Sequence, residues 1–247
     1  MNKLLICFML FCALLSSSVS VVGSSTKNQD GTVLLKEENV VNFRGVVDSV
    51  STTAAMLELA RLDTLRGKKD YPIYLVLDTP GGNVQDGLSF IQFAKSIKNL
   101  HTITIFAASM GSAIVEHLPG ERLILENGVL MFHRAAGGFE GQFNDGEVES
   151  QLAFWKSIIT DMEQKNADRM GMELKDYKEK SRDELWIYGP NTITQKAADR
   201  IISIKCTDEL IKSTEISTIN LMFFSLDAEY SKCPLFTNAL RIIETKE

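Results

Sequence analysis

Two apolar runs, Ile73 to Leu77 and Thr102 to Ala108, each stop at small residues, the first at Asp78-Thr79-Pro80-Gly81-Gly82 and the second at Ser109-Met110-Gly111-Ser112. Short runs of this kind, with little polar alternation, read as strands buried on both faces, the habit of a parallel sheet covered by helices. After the glycines the apolar spacing changes to threes and fours, at Val84, Leu88, Ile91 and Ala94, and a helix runs from Ser109 towards His117. Repeated strand-then-helix units predict an α/β fold with a partly parallel sheet. In such sheets the groups at the strand ends face one crevice. Gly81, Gly82 and Ser109 should therefore meet there, together with His133, which follows the apolar run Val129 to Phe132.

That set matches the demands of acyl transfer. A serine hydroxyl is a weak nucleophile until an imidazole takes its proton, and the tetrahedral intermediate needs N–H donors aimed at its oxygen. Ser109 is the candidate nucleophile and His133 the candidate base. Gly81, without a Cβ, lets the backbone approach a substrate, and the Met110 N–H stands beside the serine at the start of a helix. Gly81 and Met110 are thus the candidate oxyanion hole. Each residue also has a plainer reading: Ser109 as a helix N-cap, His133 as a core residue. His101 and His117, the other histidines, have no motif around them and read as structural.

The Pro80-Gly81-Gly82 turn, the Ala-Ser-Met-Gly segment at 108–111, the histidine of Met131-Phe132-His133-Arg134 and the following Gly137-Gly138-Phe139-Glu140-Gly141-Gln142 occur in one order over about Thr32 to Ser203. In these elements the chain resembles the proteolytic subunit of the Clp protease. The resemblance implies a serine endopeptidase on a spiral of ββα units, the fold shared with the crotonases, with a long projecting helix and assembly into rings. It also implies a third triad member, an aspartate about 50 residues after the histidine that holds the imidazole in its working tautomer. Asp183 stands at that distance, with Glu184 and Asp176 as alternatives, because the local pattern before Trp186 is kept only approximately and Ile187 to Asn191 reads as a small insertion. Gly82, Gly137 and Gly138 correspond to the strip that pairs with the substrate backbone, a form of strand addition. A flexible glycine loop is the plainer reading of Gly137 and Gly138.

The N-terminus bears on location. Lys3, then an apolar run from Leu4 to Leu15, then the small polar residues Ser16 to Ser25 have the layout of a secretory signal peptide, ending near Ser20 or Gly23. The run is shorter than the roughly 20 residues that span a bilayer, so export as a soluble periplasmic or secreted protein is expected, with an uncleaved anchor as the lesser reading. The division expected is a signal peptide at 1–23, a peptidase domain at 24–205 and an extension of unassigned role at 206–247. Cys206 and Cys233 then remain as a pair that could form a disulfide, two buried thiols being the alternative. Export would also separate the protein from ATP, so an ATP-driven unfoldase partner is not expected.

A charge of −6 without a basic cluster argues against nucleic acid as a partner. No zinc-type Cys/His spacing and no nucleotide-binding glycine pattern occurs, so no cofactor is implied. The segment Asp145 to Met170 carries Val148, Leu152, Trp155, Ile159 and Met162 on one face. That stripe is the expected surface for assembly into a homo-oligomer, against the simpler reading of a helix packed on its own core. The function expected is hydrolysis of peptides or unfolded proteins. Three alternatives are a ring-forming scaffold without catalysis, a crotonase-type acyl-CoA enzyme and a Ser-Lys signal peptide peptidase.

Overall fold

The computed structural model describes residues 31–135, 144–220 and 225–243. In chain order the elements are β1 (Thr32–Leu35), β2 (Val40–Arg44), α1 (Ser49–Arg66), β3 (Ile73–Thr79), α2 (Val84–Ala94), β4 (Leu100–Ala108), α3 (Met110–His117), β5 (Arg122–Phe132), α4 (Asp145–Arg169), α5 (Leu174–Lys180), β6 (Leu185–Tyr188), α6 (Asn191–Thr194), β7 (Arg200–Cys206), α7 (Asp208–Lys212), β8 (Thr214–Asn220), β9 (Ser225–Ser231) and β10 (Arg241–Ile243). A 7-stranded sheet runs β1-β7-β5-β4-β3-β2, with β6 added antiparallel to β5 and every other pairing parallel. The chain has the mixed α/β architecture expected of a ClpP/crotonase-like fold, with strands feeding helices that return over the sheet.

Both faces of the sheet are buried, which explains the unbroken apolar runs. On one face Leu75, Leu77, Ala107, Ile124, Leu130 and Phe132 pack with Leu59 and Leu62 of α1, Phe90 of α2 and Ile114 of α3. On the other, Val76, Ile103, Leu123, Ile202 and Ile204 pack under Leu210 of α7 and Cys233. Successive residues of β3 thus point to opposite cores.

α1 begins at Ser49, where the Asp48 carboxylate accepts the N–H groups of Val50 and Ser51 while Ser51 Oγ accepts the Asp48 N–H. This is a capping box. The apolar run Val129 to Phe132 is the end of a longer strand, β5, which begins at Arg122 and exchanges partners midway: Leu125 pairs with Ile202 of β7, and Val129 with Tyr188 of β6. The exposed Glu126 and Asn127 sit at the irregularity, and the Tyr188 hydroxyl donates to Asn127 Oδ1.

The C-terminal half of α4 packs through Met162, Asn166 and Ala167, whereas Leu152 and Phe154 in its first half are exposed. The helix therefore projects beyond the body of the protein. Cys206 and Cys233 form a disulfide with Cα atoms 5.9 Å apart. It ties the end of β7 to the segment after β9, and β8, β9 and β10 make a separate antiparallel sheet. Among the described residues no helix is long and apolar enough to cross a membrane. The expected signal segment 1–23 lies outside the described residues.

Candidate active site

Three neighbouring parallel strands end at one rim: β3 runs into Gly81-Gly82, β4 into Ser109 and β5 into His133. The register pairs Ala108 with Met131, so the serine and the histidine leave the sheet almost side by side. His133 Nε2 lies 2.6 Å from Ser109 Oγ. The contact is short enough for direct proton transfer. Both side chains are only partly buried, leaving the hydroxyl open to a substrate.

The backbone of Ser109 is the unusual part. Its φ of 54° and ψ of −119° put a non-glycine residue in the positive-φ region, on a sharp turn between strand and helix. Such conformations cost energy and persist where the surroundings fix them. Here the Ser109 N–H donates to the Met131 carbonyl at 2.9 Å. Ser112, one turn into α3, places its hydroxyl 2.7 Å from both the Ser109 and the Met131 carbonyl oxygens. Because the side chain of Ser109 makes no capping bond, the N-cap reading does not account for it.

Gly81 has φ of 89°, and a Cβ there would stand 2.7 Å from Ser109 Cβ and 2.8 Å from Met110 N. Glycine is required by both the conformation and the approach. Its N–H, however, donates to Thr79 Oγ1 at 3.1 Å. The Gly81 N–H is thus turned towards the end of β3. Val47 holds the next peptide units through Val47 N–H to Gly81 O (2.8 Å) and Asn83 N–H to Val47 O (2.7 Å), and the Gly82 N–H between them has no partner among the described residues. Met110, the first residue of α3, likewise keeps the free N–H of a helix start.

The candidate third carboxylate is not joined to the pair. The Asp183 side chain is 86% exposed and lies 3.5 Å from Arg182 Nε. Glu184 accepts from Trp186 Nε1 at 2.7 Å, and Asp176 is exposed on α5. Among the described residues none of the three bonds to His133. The β5–β6 ladder nevertheless begins with Phe132 opposite Leu185, so the backbone of residues 183 and 184 lies beside that of His133. Gly137 and Gly138 lie outside the described residues.

A cavity of about 40 Å³ opens beside the serine, between Ser109, Phe132 and His133 on the sheet side and Met162, Asn166 and Tyr177 on the helix side. Burial pushes the Tyr177 phenol up to about 12, so it stays protonated. His101 bonds Asn99 and the Glu121 N–H, and His117 is buried on α3, its pKa lowered to about 4 by that burial. Both stand apart from the rim. Among the described residues no group of three His, Cys, Asp or Glu side chains could hold a metal ion.

Ser112 and Asn166 were not singled out by sequence reasoning. Asn166 carried a signal all the same, since it extends the Ile159 and Met162 stripe by one more helical step with a polar residue. A family model described as Clp protease matches residues 23–205 of the chain.

Proposed function

The chain belongs to the Clp protease family, a family of peptidases, and from that premise we propose that it is an exported serine endopeptidase in which Ser109 attacks the peptide carbonyl. The observation that carries this reading is the 2.6 Å contact between Ser109 Oγ and His133 Nε2 at the ends of adjacent strands. His133 takes the hydroxyl proton as the Oγ–C bond forms, and the N–H groups of Gly82 and Met110 hold the oxyanion. Collapse of the tetrahedral intermediate breaks the C–N bond, and His133 gives the proton to the departing amine. A water molecule, deprotonated by the same imidazole, then releases the acyl group and restores Ser109.

Asp183 is assigned the part of orienting His133, on the strength of its backbone position beside the β5–β6 ladder. Substrates are peptides or loosely folded chains taken without an ATP-driven unfoldase, in keeping with an N-terminal leader that directs export. The subunits form a homo-oligomeric ring, for which the exposed Leu152 and Phe154 of α4 offer an apolar surface.

The test is a fluorophosphonate probe applied to the purified protein and to Ser109→Ala and His133→Ala, with the labelled residue identified by mass spectrometry. Labelling of Ser109 that depends on His133 is expected. An assembled protein that never labels would favour the scaffold reading, which draws support from the lack of a carboxylate on His133 among the described residues.

A further inference from the structure

Resting on that peptidase reading, we propose that a groove along the free edge of β2 takes up an extended, basic segment of the substrate chain, some residues away from the cleaved bond. The groove has a volume of about 540 Å³ and lies between β2 and the first half of α1 on one side and β8 on the other. β2 ends the 7-stranded sheet and β8 ends the 3-stranded one, so among the described residues neither edge has a further strand beside it. The ladders fix which peptide groups are left over. Tyr74 N–H donates to Asn39 O and Gly45 N–H to Asp78 O, which turns the odd-numbered residues of β2 towards β3 and the peptide groups of Val40, Asn42 and Arg44 outwards. Lys232 N–H donates to Ser213 O, so Thr214, Ile216 and Thr218 of β8 turn theirs away from β9. All six residues line the groove.

A row of unpaired N–H and C=O groups is a template for another extended chain. The walls narrow which chain it takes. Val46, Val50 and Ile216 are exposed apolar side chains in the groove. Glu37, Asp48, Glu58, Asp78 and Glu215 also line it, against Arg44 and Lys232, with Arg61 held beside Glu58. Carboxylates outnumber cations, so a strand mixing basic with apolar side chains fits and an acidic one is repelled. Position makes the substrate itself the occupant. β2 continues through Val47, bridged to Gly82, to the rim that carries Ser109, and Gly45, Val46 and Asp78 form the near end of the groove. A strand added to β2 would lie three strand spacings from β4, about 14 Å. An extended chain covers that distance in about four residues. Arg44 Nε and Asn42 Nδ2 bond to Glu215 Oε1 at 3.1 and 2.8 Å, which fixes β8 at the side of the groove. Because β8 lies beyond the matched residues 23–205, the groove is built jointly by the extension and the main sheet.

The test uses the full chain and fluorogenic peptides that share one cleaved sequence. Four residues before or after it they carry a Lys-Val-Lys-Val-Lys, Glu-Val-Glu-Val-Glu or Gly-Ser tail. Turnover is counted per Ser109 labelled by fluorophosphonate. On the side set by the direction of the added strand, the basic tail should lower KM about tenfold against Gly-Ser, the worth of one or two net hydrogen bonds. The acidic tail should give no such gain, and kcat should change little. N-methylating one of the two alternating sets of amides in the basic tail should abolish the gain, since it removes donors and keeps the charge. Glu58→Lys combined with Ile216→Lys should bring the KM values of the basic and Gly-Ser peptides together. A variant damaged only in folding would lose labelled sites and keep the KM ratio, so convergence of the two values supports the groove. Equal KM for all tails, or a gain that survives N-methylation of either set or the double variant, overturns the inference while leaving the peptidase reading in place. Absence of labelling removes both.

Discussion

Arg122, the first residue of β5, reaches Glu116 near the end of α3 across 2.5 Å in the buried interior. β5 leads into His133 and α3 begins beside Ser109, so one buried Arg122–Glu116 hydrogen bond joins the far ends of the two elements that position the reacting groups. Asp199 completes the arrangement, accepting from Arg122 Nη2 at 2.6 Å and from the Arg122 N–H at 2.8 Å. Removing one member of a buried pair leaves the other uncompensated and typically costs about 3–5 kcal/mol. Arg122→Met should lower the urea midpoint accordingly and weaken activity through misplacement of His133.

Burial drives the Glu116 carboxyl up to about 8, with Arg122 pulling against it. Glu116 binds its proton more tightly folded than unfolded, so its contribution to stability is complete below its unfolded pKa and is lost as pH rises through 8. His117 acts in the opposite sense: burial lowers it to about 4, and its contribution is lost as pH falls below 6.5. The two oppose one another between about pH 4.5 and 6.5 and separate above that window. Urea unfolding should show stability falling between pH 6.5 and 8 by at most about 1.4 kcal/mol per pH unit. Glu116→Gln should flatten that slope, and an unchanged slope in the variant would refute the assignment to Glu116.

Ser109→Ala and His133→Ala should each reduce peptide turnover by about 10⁴-fold or more while leaving the fold intact by circular dichroism. The two losses should not add in the double variant, because the hydroxyl and the imidazole act as one unit. Turnover in the single variants close to wild type would exclude the proposed mechanism.

Gly82 tolerates no side chain, since a Cβ would stand 2.3 Å from the Val47 carbonyl oxygen and the residue has φ of 152°. Gly82→Ala should displace the N–H assigned to the oxyanion and cost about 10²–10³-fold in kcat, the usual consequence of losing one such donor. Gly81→Ala should disturb Ser109 as well, through the contact with its Cβ. A kinetic comparison of both variants with wild type decides the matter.

The Cys206–Cys233 bridge spans 27 residues, for which chain entropy gives about 3–4 kcal/mol of stabilisation. Reduction, or Cys206→Ala with Cys233→Ala, should lower the melting temperature and loosen β8, β9 and β10 before the main sheet. Hydrogen exchange would locate the change. Equal protection in the oxidised and reduced proteins would show that the packing of Leu210 and Cys233 suffices without the bond.

Much of the framework was legible because parallel strands buried on both faces leave continuous apolar runs, and because Gly81, Ser109 and His133 terminate three of them. The expected spacing in α2 followed from its one-sided packing. The continuity of β5 was hidden, since the polar Glu126-Asn127-Gly128 reads as a turn when the exchange of partner strands is unknown. Asn166 and the Arg122–Glu116–Asp199 cluster were hidden for another reason: their meaning lies in contacts between elements far apart in the chain. The Gly81 amide shows the limit at atomic scale, because the residue type required at the turn was readable whereas the direction of its N–H was set by Thr79.

Ser109 holds a backbone conformation that glycine would adopt more readily. A Ser109→Gly protein, with no hydroxyl to present, should therefore melt above the wild type, by an amount on the order of 1 kcal/mol in stability. The native chain would then be less stable than its own inert variant, its folding and its reactivity setting opposing demands on a single residue.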